Sequence, residues 1–300
     1  MERLVMKQKA AHILCFIMYV GLLLLPAKAL SQVDIWQGTS IHHRVELTPY
    51  IAAGNRNVSV IVCPGGSYFW HDLTHEGEMV GRWLQSKGIN AFVLRYRTAY
   101  VPAFLFRYRL FLRGNRYPDA LNDLRQAMNY IRRRADSYHV DTCRIGVMGF
   151  SAGGHLAMCS VELLPKAEWP AFLCLAYPVV TMSHPCVHKR SRRGLLGENH
   201  EHNALLCHKL SMEEHVPAHC PPTFLMNCKD DPIVNRHNAE LLDSAMTAKG
   251  VHHCFVQYNQ GGHGFGASET KGTAECRQWR ERFMLWLRQM GILTAQGNVQ

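Results

Sequence analysis

Ser151 stands alone among small residues in "GFSAGGH" (149–155), between the apolar run "RIGVM" and the helix-forming "LAMCSVELL". Gly149-Phe150-Ser151-Ala152-Gly153 fits G-x-S-x-G. In that pattern a strand turns into a helix so sharply that bulk beside the serine would collide, and the serine is pushed into the open as a nucleophile. A serine hydroxyl is weak at its own pKa, so the chemistry needs a base, an acid that orients the base, and donors for a developing oxyanion. The chain offers candidates for all three. His263 lies between glycines in "QGGHGFG", directly after the apolar run "HHCFVQYN". Asp230 and Asp231 follow "TFLMNC". Pro64-Gly65-Gly66-Ser67 ends "VIVCPGGS", where unhindered N–H groups of Gly66 and Ser67 can face an ester oxygen, with the N–H of Ala152 as a further donor. A dinucleotide fingerprint is the competing glycine-rich turn, but it needs G-x-G-x-x-G, and "GVMGFSAGG" has no G-x-G at the turn.

These residues can meet only if strands carry them to a common edge. Apolar runs of strand length recur at 58–64, 89–97, 144–150, 171–179, 223–228 and 252–259. Continuous rather than alternating apolarity predicts strands covered on both faces, as in a parallel sheet. Helical patterns lie between them. "YPDALNDLRQAMNYIRR" puts Leu121, Leu124, Met128 and Ile131 on one face, with Pro118 suited to the first turn. "NRHNAELLDSAMTAKG" ends on Gly250, and "TAECRQWRERFMLWLRQM" puts Trp279, Phe283, Trp286, Leu287 and Met290 on one face. Strands alternating with helices predict a doubly wound α/β sheet, in which sites form beyond the carboxyl ends of the strands. "RVELTPYIA" (44–52) is expected to add an antiparallel edge strand. The order Ser, Asp, His is that of the α/β-hydrolases.

"CPGGSY", "HEGEMVGRWLQSKGINAFVLRYR", "YPDALNDLRQAMNYIR", "GFSAGGHLA", "RRGLLGE", "PPTFLMNCKDDPIV" and "GGHGFG" together resemble the exported α/β-hydrolases of the acetyl-xylan esterase and carbohydrate esterase type. The resemblance runs in order from about residue 40 to 290. It implies a nucleophile at Ser151, a base at His263, an acid at Asp231 and an oxyanion loop over Gly65 to Ser67. Pro232 adds a reason to prefer Asp231 to Asp230, since it biases the residue before it toward an extended conformation and so restrains that carboxylate. Gly65, Tyr68 and His75 are the further candidates for substrate contacts. The chain departs from the resemblance at Ser67, where many relatives have a third glycine, and in the long aromatic and arginine-rich stretch "AYVPAFLFRYRLFLRGNR" (99–116).

The start of the chain reads as an export signal. Arg3, Lys7 and Lys9 precede the apolar "ILCFIMYVGLLLL", and "PAKA" offers small residues for cleavage after Ala29. The apolar core is short for a membrane span of roughly 20 residues. The expectation is a leader over 1–29, a single α/β-hydrolase domain over 30–300, and an exported protein, periplasmic or extracellular, with no stable membrane insertion. The formal charge is +10. Four cations and Glu2 of the leader account for three of these charges, leaving about +7 for the mature chain. The basic runs "IRRRAD" (131–136) and "HKRSRRG" (188–194) are read as solvated charge, since nucleic-acid surfaces interleave such charges with aromatics or carry them on one recognition element. "HPCVH" (184–188) has ligand-like spacing but no second strict pair, so it is read as a polar loop and no metal is expected. The ten cysteines after the leader contain no C-x-x-C, and most lie in apolar runs as buried thiols.

The expected function is hydrolysis of a short, acetyl-type ester on a plant polysaccharide or oligosaccharide by a Ser-His-Asp acyl-enzyme route, without cofactor. Three rivals share these features. A serine peptidase would usually carry a gating domain beyond this length, a lipase would need a long apolar lid, and a non-catalytic binding module would be expected to have lost one of the three residues.

Overall fold

The computed structural model describes residues 32–39, 45–53, 58–105 and 114–293. The expected leader and the middle of the arginine-rich stretch, 106–113, lie outside the described residues. Among the described residues eight strands form one sheet: β1 (Val33–Asp34), β2 (Glu46–Tyr50), β3 (Ser59–Cys63), β4 (Asn90–Arg95), β5 (Ile145–Phe150), β6 (Leu173–Ala176), β7 (Thr223–Cys228) and β8 (His253–Tyr258). Their spatial order is β1-β2-β4-β3-β5-β6-β7-β8. From β4 to β8 every pairing is parallel, and β2 runs antiparallel to both β4 and β1. The α/β-hydrolase fold class expected from the motif order is the fold observed.

The principal helices are α1 (Met79–Ser86), α2 (Asp119–Arg133), α3 (Ala152–Glu162), α4 (Lys189–Leu196), α5 (His237–Ala248), α6 (Ala274–Arg277) and α7 (Trp279–Gln289). They cover both faces, which explains the continuous apolar runs: successive strand side chains point to opposite sides and both sides are buried. In β3, Ile61 and Cys63 join one core with Leu124, Met128 and Leu156, while Val60 and Val62 join the other with Trp83, Trp279 and Phe283.

Four expectations are adjusted. The strand in "RVELTPYIA" is antiparallel but is not the edge, because the two-residue β1 pairs outside it. "HHCFVQYN" was expected to be covered on both faces, yet β8 is the far edge and all its residues but Tyr258 are only half-buried. Pro118 precedes the first turn of α2 as its cap residue rather than opening it. The helix expected over 273–290 is interrupted at Gln278, and Trp279, Phe283, Trp286 and Leu287 of α7 are buried as expected.

Candidate active site

Four loops converge beyond the carboxyl ends of β3, β5, β7 and β8. At the end of β5, Ser151 is held at φ 53° and ψ −119°, and α3 begins at the next residue. The turn is this tight because α3 presses on β3: a Cβ on Gly153 would sit 2.0 Å from the carbonyl oxygen of Cys63. A non-glycine residue at such φ costs energy of order 1–3 kcal/mol, stored where the surrounding structure over-determines it. Here the result is a serine whose Oγ meets Nε2 of His263 at 2.9 Å.

His263 Nδ1 lies 2.6 Å from Oδ2 of Asp231. The carboxylate can only accept, so Nδ1 carries the hydrogen and Nε2 is left to accept from Ser151. Asp231 is fixed from the other side, because its Oδ1 accepts the N–H groups of Ile233 (2.8 Å) and Val234 (2.9 Å). Asp230 turns elsewhere and accepts the N–H groups of Gly261 (3.0 Å) and Gly262 (2.9 Å), shaping the loop that presents His263. The indole of Trp279 pins the same loop by donating to the Gly266 carbonyl at 2.9 Å.

Beyond β3 the backbone winds through Gly66 (φ 139°) and Ser67 (φ 56°). Only glycine fits the first, since a Cβ there would lie 2.0 Å from the Trp70 carbonyl oxygen. Among the described residues, the N–H groups of Gly66, Ser67 and Ala152 meet no backbone or side-chain acceptor. Gly66 and Ser67 line a cavity of about 150 Å³ together with Ser151, His263, Trp70 and Ile233. Donors left unpaired beside a nucleophile are the arrangement that stabilises a tetrahedral oxyanion.

A buried carboxylate joins the two loops. Glu76 Oε2 accepts the Gly65 N–H at 2.7 Å, and its Oε1 accepts from the Tyr177 hydroxyl at 2.8 Å. Tyr177 in turn accepts the Gly266 N–H at 2.9 Å. Burial pushes the Glu76 carboxyl above its ordinary pKa, opposed by the nearby His263 and by both hydrogen bonds. The sequence reading gave Glu76 no role of this kind and passed over Tyr177. The position of Tyr177 directly after a parallel strand was the available signal.

Three expected substrate contacts lie outside the cavity lining. Tyr68 is 2% exposed and its hydroxyl donates to Nδ1 of His155, whose Nε2 donates to the Leu210 carbonyl. It is an anchor for the loop, because the buried histidine needs that partner. Gly65 spends its N–H on Glu76. His75 turns to Asp72, 3.0 Å away, and to Lys271. The "HPCVH" residues do not converge: His184 faces Cys186, while His188 faces Ser191 and is lowered to about 4, mainly by burial. All ten cysteines of the described residues are free thiols.

The basic run at 188–194 departs most from expectation. It forms the start of α4, and its arginines reach inward. Arg190 Nε donates to Ser67 Oγ at 3.0 Å, Arg192 to the Met182 carbonyl, and Arg193 to the Phe104 carbonyl. Arg190 lines the cavity over Ser151. For the three arginines solvated charge is therefore the wrong description, because backbone carbonyls, Glu198 and the oxyanion loop take up these cations, whereas Lys189 is exposed.

Residues 109–290 match the model of the prolyl oligopeptidase family. The chain belongs to that family. Residues 52–163 also match the BD-FAE family. An acetylxylan esterase of Xylanibacter ruminicola is 31% identical over 212 residues, covering 69% of this chain and 41% of the relative. Endo-1,4-beta-xylanase B of Butyrivibrio fibrisolvens is 28% identical over 249 residues, covering 77% of this chain and 37% of the relative. The chain thus spans less than half the length of either curated relative. A solved structure of an acetyl ester-xyloside bifunctional hydrolase from Caldicellulosiruptor lactoaceticus superposes with a TM-score of 0.75 at 29% identity. That alignment covers 88% of this chain and 97% of the other. Membership of the prolyl oligopeptidase family and likeness to esterases bear out the α/β-hydrolase resemblance drawn from the motifs. Among the described residues no helix is long and apolar enough to cross a membrane.

Proposed function

We propose that this protein is an exported serine esterase that releases short acyl groups, acetyl first, from plant polysaccharide or oligosaccharide. One observation carries the reading: Ser151, His263 and Asp231 form an unbroken hydrogen-bonded chain beside unpaired N–H groups and a cavity of about 150 Å³. That volume is small against the roughly 300–1,000 Å³ of pockets for drug-sized ligands. It suits an acetyl group better than a long acyl chain. Trp70 lines the same cavity and offers an aromatic face to a sugar ring.

In the proposed reaction His263 Nε2 takes the Ser151 proton as Oγ attacks the ester carbonyl, while Asp231 stabilises the imidazolium. The oxyanion is held by the N–H groups of Gly66, Ser67 and Ala152. Loss of one such donor costs about 10²–10³ in turnover in other hydrolases. The imidazolium gives its proton to the departing sugar oxygen, which leaves as a hydroxyl, and water, deprotonated by His263, then attacks the acyl-enzyme and frees Ser151 and the carboxylic acid. Each step draws on groups of this chain.

The relatives with xylan-related names support a carbohydrate substrate, and the charged, apolar, small-residue order of residues 1–29 supports export. The family name raises a peptide substrate as the competing reading. Acetate release from acetylated xylan, set beside acetyl, butyryl and octanoyl p-nitrophenyl esters and a proline-containing peptide amide, separates them. The esterase reading expects acetyl turnover to exceed octanoyl turnover and leaves the peptide uncut. Faster octanoyl turnover makes the protein a lipase, and peptide cleavage without acetate release makes it a peptidase.

A further inference from the structure

Among the residues lining the cavity over Ser151, both carboxyl groups already have hydrogen-bond partners within the protein. Asp72 meets His75, and Glu76 holds Gly65 and Tyr177. Arg190 is different. Its guanidinium donates Nε–H to a neutral hydroxyl, Ser67 Oγ, and lies 5.4 Å from the Trp70 ring centroid. Among the described residues it forms no ion pair, although the protein has carboxylates to spare for arginines such as Arg97 and Arg280. A half-buried cation without a counter-ion costs stability and is retained where something else supplies the charge.

The surroundings extend the point. Arg190 also lines a second cavity of about 410 Å³, shared with Lys189, Arg192 and Arg193. Arg192 and Arg193 are fixed there by backbone carbonyls, and Arg193 also faces Glu198 at 3.9 Å, so their charges are oriented rather than mobile. Glu201 is the lone carboxylate of that lining, and it lies 3.7 Å from His202. Arg190 therefore belongs to the nucleophile's cavity and to a cationic cleft beside it.

We propose that Arg190, backed by Lys189, is the binding site for a carboxylate borne by the substrate, so that the preferred ester sits on or next to a uronic acid residue of an oligosaccharide. The proposal rests on the esterase reading above and names its substrate class. A guanidinium held at Nε presents its two Nη groups as a fork, which matches the two oxygens of a carboxylate in one plane. A neutral sugar would leave that fork unpaired. With the guanidinium 5.4 Å from the Trp70 ring centroid, the aromatic ring and the group that would bind the carboxylate stand next to each other.

The test compares acetate release from acetylated xylo-oligosaccharide carrying a glucuronosyl branch with release from its neutral counterpart, at low and high salt. Variants Arg190→Gln, Arg190→Lys and Lys189→Gln accompany the unaltered protein. A second measurement is calorimetric binding of the deacetylated acidic and neutral oligosaccharides to Ser151→Ala, with Arg190 intact or replaced by Gln. The acidic substrate should be preferred by about 10-fold to 100-fold in kcat/KM, as expected of a hydrogen bond to a charged group. The preference should shrink in salt, collapse in Arg190→Gln through KM, and return in part in Arg190→Lys.

Arg190→Gln lowering both substrates equally would overturn the proposal and reduce Arg190 to a brace for Ser67. Equal binding of acidic and neutral oligosaccharides would overturn it too, while leaving the esterase reading intact if acetate is still released. Arg190-dependent binding of the acidic oligosaccharide without ester hydrolysis would uphold the subsite and sink the esterase reading instead.

Discussion

Asp231 and Asp230 are adjacent, acidic and both bonded to the active-site loops, yet their bonds differ in kind. Asp231 gives one oxygen to His263 and the other to two backbone N–H groups, whereas Asp230 gives both oxygens to Gly261 and Gly262. Asp231→Asn is expected to lower turnover by about 10⁴ through the wrong histidine tautomer. Asp230→Asn should lower it far less, since its amide oxygen can still accept from the loop. Steady-state kinetics on an acetyl ester, with near-ultraviolet circular dichroism to check folding, decides this, and a crippled Asp230 variant beside a normal Asp231 variant would reverse the roles. The glycine-flanked serine and histidine were legible in the sequence because their chemistry is written in neighbouring residues. Arg190 was not, because the role of an arginine depends on which helix end swings over which loop, and "HKRSRRG" reads the same whether it faces water or Ser67.

The elements that matter most are two loops clasped by one side chain. Glu76 ties the Gly65 N–H to the Tyr177 hydroxyl, and Tyr177 ties on to Gly266, so the oxyanion donors and the His263 loop share a support. Removing it should misplace both loops by a fraction of an ångström, and a displacement of about 1 Å can cost 10²-fold in rate. Glu76→Ala is therefore expected to lower kcat by about that factor while KM for a small acetyl ester changes little. Equal loss in a chain that has simply unfolded is excluded by measuring Tm alongside, and an unchanged kcat would show that the clasp is dispensable. The strands and helices that carry these loops were legible from continuous apolar runs and helical spacing. The edge position of β8 was not, because nothing local to "HHCFVQYN" reveals that it has a neighbouring strand on one side alone among the described residues.

For the molecule as a whole, buried titratable groups set a pH window. Glu162 closes α3 with both carboxyl oxygens buried and unpartnered, and burial raises its pKa to about 9, with Glu213 adding to the shift. A carboxyl raised in the folded state contributes stability below its unfolded pKa and loses it as pH rises through the folded value. Tm should therefore fall between roughly pH 4.5 and pH 9 from this group, and Glu162→Gln should flatten that decline. His155 works the opposite way: burial lowers it to about 4, so stability is lost as pH falls from its usual 6.5 toward that value. Thermal unfolding across pH 4–9 checks both slopes, and a Glu162→Gln profile parallel to the unaltered protein would refute the first. The fold class could be anticipated because Ser, Asp and His each follow a strand in the order one topology demands, whereas the spatial order of the strands could not. The central claim is that this topology makes Ser151 a nucleophile, and the most direct measurement is the intact mass of the protein after exposure to a fluorophosphonate, with peptide mapping of the adduct. The account predicts a single adduct on Ser151, loss of acetyl ester hydrolysis in step with labelling, and no adduct in Ser151→Ala. Labelling at another residue, or acetyl hydrolysis undiminished in Ser151→Ala, would contradict it.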